Sequence, residues 1–302
     1  MVGLGGVAAT REIEEHVALA RLTTIGTGGP ARWFAQPASF EELAELLAWA
    51  GGQGAGVEAI GLGSNVLGHD DGVDALVLRL AGALAQVHVE GEQLVAGGGA
   101  ANAVCLHRAR DAGLGGFEFA AAIPGTVGGG VRMNAGAYGR DFRAVLVEAV
   151  VVSAGAVRVR TAGDLALGYR TSNLRSGDVV AQVRLQLEPR HPVAIRAEVA
   201  TLLAQRKNTQ PTNKRTFGSV FKNPGPELGA GWAIEQCGLK GIRRGGAVIS
   251  ERHANFIENA GGATSADALA LMAEARSRVY ERFGVELEHE VQFLGPLELP
   301  AL

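Results

Sequence analysis

Cysteine is scarce in this 302-residue chain: Cys105 and Cys237 stand far apart, and neither belongs to a C-x-x-C pair. A disulfide framework and a zinc site are therefore not expected, which suits a reducing, cytoplasmic setting. Long apolar runs are missing as well. Arg11, Glu118, Glu148 and similar residues interrupt every stretch that approaches the roughly 18 residues a membrane helix needs, so no membrane partner is expected. The first ten residues are apolar but have neither a basic leading region nor a cleavage pattern, which argues against a signal peptide. Charge of one sign is not in excess: 28 Lys and Arg against 31 Asp and Glu leave a formal net charge of -3, with both signs scattered along the chain. Nucleic acid and anionic surfaces are thus poor partners. Internal repeats and low-complexity linkers are also lacking. The roughly two domains that this length suggests, at about 150 residues each, should pack tightly rather than hang on a tether.

What is plentiful is glycine: 44 residues of 302, about twice the usual share of roughly 7%, without a collagen period or an excess of proline. Otherwise 47% hydrophobic and 20% charged residues describe an ordinary globular chain, long enough to bury a core. The glycines must then serve particular backbone conformations.

Ser39 and Glu42 have the spacing of a capping box, Phe40, Leu43, Leu46 and Leu47 form a 3.6-residue stripe, and Gly51 and Gly52 follow, which predicts a first helix. The apolar runs VEAIG (57–61) and ALVLRL (75–80) predict strands, and QVHV and QLVA, split by Glu90 and Gly91, predict a hairpin. A second helix is expected over about 101–112. Residues 115–139 fit neither period and read as a glycine-dense loop. Three β-rich runs follow within 144–189, then a helix from Pro192, a favourable first-turn residue, to about Arg206. In the last third the pattern predicts a polar loop over 208–224, a helix near 231–237, the strand AVIS at 247–250, and a long helix opened by Thr264 and Asp267 and closed by Gly284. A final strand is expected over 285–294. Its alternation puts Val285, Leu287, His289, Val291 and Phe293 on one face, with Glu286, Glu288, Glu290 and Gln292 on the other.

Two segments invite chemistry. In GLGSN (61–65), directly after a predicted strand, Gly61 and Gly63 let backbone amides approach an anion while Ser64 and Asn65 add donors that suit a pyrophosphate; a tight strand-to-loop turn explains the same residues. A Rossmann reading is weaker, since no G-x-G-x-x-G opens a helix. In the segment ending AAIPGTVGGGVRMNAGAYG, Pro124, Gly125 and Gly128 to Gly130 allow main-chain groups to face a flat ligand without intervening side chains, which suits a flavin ring or its phosphates. A glycine-dense run of this length inside a compact domain is usually functional.

The ordered set TTIGTGGPA, GLGSN, GFEFAAAIPGTVGGGVRMNAGAYG, GYRTSN, QP, GSVFKNP, AGWAIEQCGLKG, HANFIEN and LEHEV resembles the UDP-N-acetylenolpyruvoylglucosamine reductase family over roughly residues 22 to 295. The combination of IPGTVGG, NAGAYG and GSVFKNP is specific where any one piece would not be. The resemblance implies an α+β chain made of α/β subdomains: an FAD-binding fold of the vanillyl-alcohol-oxidase type in two subdomains, 1–80 and 81–200, then a smaller α/β substrate-binding domain, 201–302. It implies FAD and NADPH as cofactors and UDP-N-acetylglucosamine enolpyruvate as substrate, with no metal. Cofactor contacts are expected from Gly61, Gly63, Ser64, Asn65, Pro124, Gly125, Thr126, Gly128, Gly129, Asn134, Gly136 and Ala137. Non-covalent FAD is expected, because residues 115–139 contain no His or Cys for attachment.

Reduction of an enolpyruvyl ether needs a hydride, a cation to stabilise the developing enolate, and a proton donor for the adjacent carbon. The resemblance assigns the cation to Arg170 in GYRTSN and the proton to Ser219 in FGSVFKNP, although by themselves these would pass for a surface ion pair and a serine in a glycine turn. It singles out Glu290, the acid before the Val of LEHEV, from the three acids on the final strand. Tyr169, Lys222 and Asn223 are expected to meet the substrate, with Arg206, Lys207 and Lys214 as further cations. For His253 and Asn255 the resemblance includes their segment HANFIEN, but packing of the turn before FIE is an alternative role, and His253 is not assigned to catalysis. Three departures stand out: Phe217 where the family has a small residue, His289 where it has proline, and the absence of any tyrosine between Arg170 and Ser219, which marks the shorter subtype without a tyrosine-bearing loop. An oxidase of the same flavin fold and a non-catalytic flavin or nucleotide-sugar binder are the alternatives. GSVFKNP has no reason to be in the first, and Arg170, Ser219 and a terminal acid have no reason to persist together in the second.

Overall fold

The computed structural model describes residues 12–302, so the reading of the first ten residues lies outside the described part. Three sheets carry the architecture. The first runs Ile13–Ala18, Pro30–Ala35, Val73–Leu78, Gly56–Ala59 in spatial order, antiparallel at its first pair and parallel at the other two. Its parallel pairs are made possible by α1 (Phe40–Gly52), whose crossover supplies Leu43, Leu46, Leu47 and Ala50 to a core with Trp33, Leu76 and Leu78. The predicted cap is present: Ser39 Oγ accepts from the Glu42 amide, and the Glu42 carboxylate accepts from the Ala38 amide.

The second sheet is antiparallel throughout, in the order Ala156–Thr161, Leu146–Ser153, Val179–Gln186, Gln93–Gly97, Val87–Glu90. The expected hairpin is its last pair. Helix α2 (Asn102–Asp111) packs Cys105, Leu106 and Ala109 against it, and Phe117, Phe119 and Phe142 meet edge to face beneath, with ring centroids 5.4 to 6.0 Å apart. Val152, Val179 and Ala181 share the first sheet's core, so the two sheets are joined by apolar burial.

The glycine-dense segment is less irregular than its sequence suggests: Val127–Arg132 forms a short helix, α3, with Thr126 as its cap. The periodicity failed to show it because three of its six residues are glycines, chosen for closeness rather than propensity. A Cβ on Gly128 would stand 2.7 Å from the Gly98 carbonyl, and one on Gly130 would enter the Phe142 ring. After α4 (Pro192–Thr209), the third sheet runs Thr216–Ser219, Phe256–Asn259, Ala247–Ile249, Arg243–Arg244 and is antiparallel. It is covered by α5 (Ala230–Gln236) and α6 (Ser265–Phe283), whose Ala268, Leu271, Met272, Ala275 and Val279 are buried.

The chain end departs from the expected strand over 285–294. Only Gln292–Leu294 is a strand, parallel to Val66–Gly68 of the first unit. Upstream of it the backbone meets a partner over three residues alone: Lys222 donates to the Glu288 carbonyl at 2.9 Å, and Glu290 to the Val220 carbonyl at 2.8 Å. The alternation survives as burial, Leu287 and Val291 inside and Glu286 and Glu288 outside, without a ladder to make it a strand.

The third unit is also anchored at the start of α6. Thr264 and Asp267 form the predicted capping box, and Asp70, from the first unit, accepts the Ser265 and Ala266 amides at 2.8 Å each. A carboxylate at a helix N-terminus satisfies orphan donors and faces the positive end of the dipole. Asp70→Ala should therefore lower stability by about 1 to 2 kcal/mol, read as a lower denaturation midpoint, with Asp70→Asn recovering part of the loss. An unchanged midpoint would show that the capping box alone holds the helix.

Candidate active site

A cavity of about 460 Å³ lies where the three units meet. Its first wall is the turn after Gly56–Ala59. Gly63 has φ +67 and passes so close to the Leu22 carbonyl that a side chain has no room, while a Cβ on Gly61 would stand 2.6 Å from Thr126 Oγ1. Ser64 Oγ donates to the Pro124 carbonyl at 2.8 Å, closing this turn on the opposite wall. Asn65 reaches the chain end: its Nδ2 donates to the Glu290 carbonyl at 3.1 Å, and its carbonyl accepts from the Gln292 amide at 2.9 Å.

The second wall is Ile123 to Gly136. Pro124, Gly125, Thr126, Gly129, Gly136 and Ala137, all expected as cofactor contacts, border the cavity with Gly61, Gly63, Ser64 and Asn65. Gly128 borders a smaller adjoining cavity of about 190 Å³ that shares Gly61, Thr126, Gly129 and Arg132 with the first. Asn134 is a correction. Its side chain is buried away from the cavity, donating to the Gly168 carbonyl at 2.8 Å and to Asp141 at 3.0 Å, and accepting from the Arg143 amide at 2.9 Å. An amide with this many protein partners is a pin for the loop, not a ligand for a cofactor.

That pin sets Arg170. The turn 168–171 is closed by reciprocal bonds between Gly168 and Thr171, and Arg170 sits in it at φ +55, an uncommon conformation for a side chain of this size. Arg170 Nη2 donates to the Gly136 carbonyl at 2.5 Å, and Nε meets Glu290 Oε1 at 3.0 Å. Of the three candidate acids, only Glu290 enters the cavity; Glu286 pairs with Arg276 and Glu288 with Lys222, both largely in solvent. Burial pushes the Glu290 carboxyl up from its ordinary value, against the opposing pull of Arg170 and Lys222. Ser219 ends the strand Thr216–Ser219 and borders the same cavity, after Gly218 at φ +83. Phe217, unusual by the resemblance, is fully buried in the third unit's core and closes this end.

Tyr169, Lys222 and Asn223 stand outside the cavity. The Tyr169 hydroxyl accepts weakly from the Asn223 amide at 3.4 Å, Lys222 pairs with Glu288 at 2.5 Å, and Asn223 Oδ1 accepts from Ala230 at the start of α5, 3.0 Å away. Asn255 is buried and clamps Phe221 by its amide and carbonyl, at 2.9 and 2.8 Å. His253, whose pKa burial lowers, packs edge to face on Phe256. Both side chains thus pack this turn, one of the alternatives the sequence left open. His289 likewise stacks on Phe293, with centroids 4.4 Å apart.

Sequence reasoning missed several cavity residues: Glu58, Asn102, Arg132, Tyr138 and Gln210. Asn102 Oδ1 and Arg206 Nε are buried without partners among the described residues. For Asn102 a signal existed, since it opens α2 directly after a glycine run; the others lie at unmarked positions of a strand, a helix and loops.

The sequence matches the family described as UDP-N-acetylenolpyruvoylglucosamine reductase, C-terminal domain, over residues 210–294, and an FAD binding domain over 31–162. UDP-N-acetylenolpyruvoylglucosamine reductase 2 of Symbiobacterium thermophilum is 45% identical over 279 residues, covering 92% of this chain and 90% of that protein. The reductase of Erythrobacter litoralis is 43% identical over 300 residues, covering 96% and 92%. Among solved structures, the UDP-N-acetylenolpyruvylglucosamine reductase of Thermus caldophilus superposes with a TM-score of 0.81 at 37% identity, over 94% of this chain and 99% of that one.

The upward displacement of Glu290 fixes the sign of a pH effect. A carboxyl that holds its proton more tightly in the folded than in the unfolded chain adds stability at low pH that is lost as pH rises through its folded pKa. The stability of wild type minus that of Glu290→Gln should therefore fall with rising pH, starting near the ordinary 4.5 and levelling off above it. A difference that rises over this window would mean that Arg170 outweighs burial.

Proposed function

The chain belongs to the UDP-N-acetylenolpyruvoylglucosamine reductase family, and from that premise we propose that it reduces UDP-N-acetylglucosamine enolpyruvate to UDP-N-acetylmuramate in peptidoglycan precursor synthesis. FAD is its bound cofactor, NADPH the reductant, and the cytoplasm the place. No described helix is long and apolar enough to cross a membrane. We take its units to be 1–80, 81–200 and 201–302, a division supported by one main sheet falling in each. The observation that carries the reading is the convergence of Arg170, Glu290 and Ser219, from three distant stretches, on one glycine-walled cavity.

The cavity suits the cofactor chemically. Side chains are excluded where Gly61, Gly63 and Gly125 pass, which leaves amides and small hydroxyls toward an extended, anionic ligand, and the unpartnered Asn102 Oδ1 and Arg206 Nε offer one acceptor and one cationic donor. Gly61, Gly63, Ser64, Asn65, Pro124, Gly125, Thr126, Gly128, Gly129, Gly136 and Ala137 would hold FAD, which supplies the hydride when bound.

The chain's own residues then manage charge and protons. Arg170, fixed by its turn and by the Gly136 carbonyl, presents a planar cation to the substrate carboxylate as it becomes an enolate. Glu290, paired with Arg170 and with its pKa raised by burial, lets that carboxylate approach with less repulsion than a free anion would. Ser219 would donate the proton to the alpha carbon of that enolate, the neighbour of the carbon that receives the hydride. Tyr169, Lys222 and Asn223, at the rim, are placed for the nucleotide-sugar rather than for the reacting atoms. Tyr169 meets Asn223, and Lys222 is paired with Glu288.

Mixing the purified protein with NADPH should bleach its flavin absorbance, and the enolpyruvyl nucleotide should restore it; a colourless protein, or bleaching without restoration, would defeat the reading. Ser219→Ala should bleach at a near-normal rate and reoxidise about 10² to 10⁴-fold more slowly, the usual loss with a general acid. Equal slowing of both steps would assign Ser219 to folding or cofactor placement. Arg170→Lys should slow the substrate half-reaction more than tenfold, because an ammonium cannot reproduce the guanidinium's paired donors. Turnover within about twofold of wild type would refute the paired geometry.

A further inference from the structure

The cavity contains one carboxylate that the reaction does not use. Glu58 lies on the strand Gly56–Ala59 and borders the cavity half-buried, and its side chain makes no hydrogen bond or ion pair among the described residues. Leaving a half-buried carboxylate without a donor is costly, and burial indeed pushes its pKa up from the ordinary value, with Arg132 pulling the other way. Arg132 is itself committed elsewhere: it donates to the Asp178 and Arg175 carbonyls, and its own carbonyl accepts from Ser172 Oγ at 2.6 Å. Its cation thus stays near Glu58 without sealing it.

The contacts along the cavity give Glu58 a position. At one end Asn65 touches Glu290, beside Arg170 and Ser219. Next, Ser64 meets Pro124, and then Gly61 meets Thr126. Continuing up the same chain, past Ala59, comes Glu58, with Arg132 on the facing wall and Ser176 and Gly177 beside them. Reduction must happen at the Glu290 end, where the cation and the proton donor are. The glycine turns in the middle offer amides to phosphates. A dinucleotide laid along this path therefore brings its second nucleoside to Glu58.

We propose that Glu58 recognises the adenosine half of the cofactor by accepting hydrogen bonds from the ribose hydroxyls or the adenine amine, making the site selective for FAD over FMN. This rests on the FAD reading above. A carboxylate is the natural acceptor for such neutral donors, and a buried polar acceptor discriminates strongly against a ligand that leaves it unpaired. FMN, which ends at its phosphate, would leave Glu58 in that state.

The test is flavin affinity, measured by dialysing the holoenzyme against graded FAD or FMN and reading the flavin that stays bound. Wild-type protein that retains no FAD would sink the cofactor reading itself. Given that it does, Glu58→Ala should weaken FAD at least tenfold, about 1.4 kcal/mol, while changing FMN by less than twofold. Glu58→Gln, which keeps size and one acceptor, should fall between and serves if the alanine variant folds poorly. Equal weakening of both flavins, or undiminished FAD binding in either folded variant, would overturn the proposal. The FAD analogue lacking only the exocyclic amine separates the two donors: a retained penalty for Glu58→Ala assigns the bond to the ribose, and a lost one to the amine.

Discussion

The contact between Arg170 and Glu290 is the constraint on which the site depends. The two residues come from different units, and each backbone is held by something else: Arg170 by the turn that Asn134 pins, Glu290 by Val220 on one side and Asn65 on the other. A planar guanidinium and a carboxylate 3.0 Å apart, each about four-fifths buried, tolerate little displacement. Removing either partner leaves the other charge in a poorly solvated place, which costs far more than the pair gains. The ion pair is therefore better understood as a specificity device than as a source of stability. It is an anion-binding cation whose charge is already tempered before a second carboxylate arrives.

Holding that pair requires three units to meet without drift, and the fold achieves this by returning the chain to its start. Gln292–Leu294 adds a parallel strand beside Val66–Gly68, a few residues after the Gly61 turn, while Asp70 takes the amides of α6. Ser265 Oγ and Thr27 Oγ1 bond at 2.7 Å in the same buried junction. The C-terminal segment is thus anchored twice on the stretch Val66 to Asp70, within five residues of the cavity wall. Reduction demands that hydride source and proton donor face two adjacent carbons of one double bond, and near-attack geometry is lost by displacements of about 1 Å. The double anchor supplies that rigidity.

Legibility in the sequence followed the range of the forces involved. The capping box of Thr264 and Asp267, the Ser39 cap and the Glu90–Gly91 hairpin were readable because their partners lie within nine residues. Helix α3 was not: its glycines answer to Gly98 and Phe142, which are remote, and so they defeat any periodic template. The expected strand over 285–294 failed for the converse reason. Alternation reports which side chains are buried, and it was right about Leu287 and Val291, but a ladder needs a neighbour, and only residues 288–290 and 292–294 have one. Alternation also left Glu286, Glu288 and Glu290 equivalent. What separates them is the identity of the cation opposite, Arg276, Lys222 or Arg170, which no local pattern encodes. The resemblance could single out Glu290, the one acid of the three that borders the cavity, because it carries that long-range information implicitly.

The same reasoning explains why the resemblance misled at Asn134. A residue inside a ligand-binding motif is counted as a ligand unless its partners are known, and here every polar atom of the side chain is already used within the protein. Glu58 is the mirror image: outside any motif, on a short strand, and distinguished only by having no partner. Polar groups in a cavity thus divide by satisfaction. Those saturated by the protein shape the site, as Asn134 and Asn255 do. Those left unsatisfied, such as Asn102 Oδ1 and Arg206 Nε in burial and the half-buried Glu58 carboxylate, are the ones free to meet a ligand.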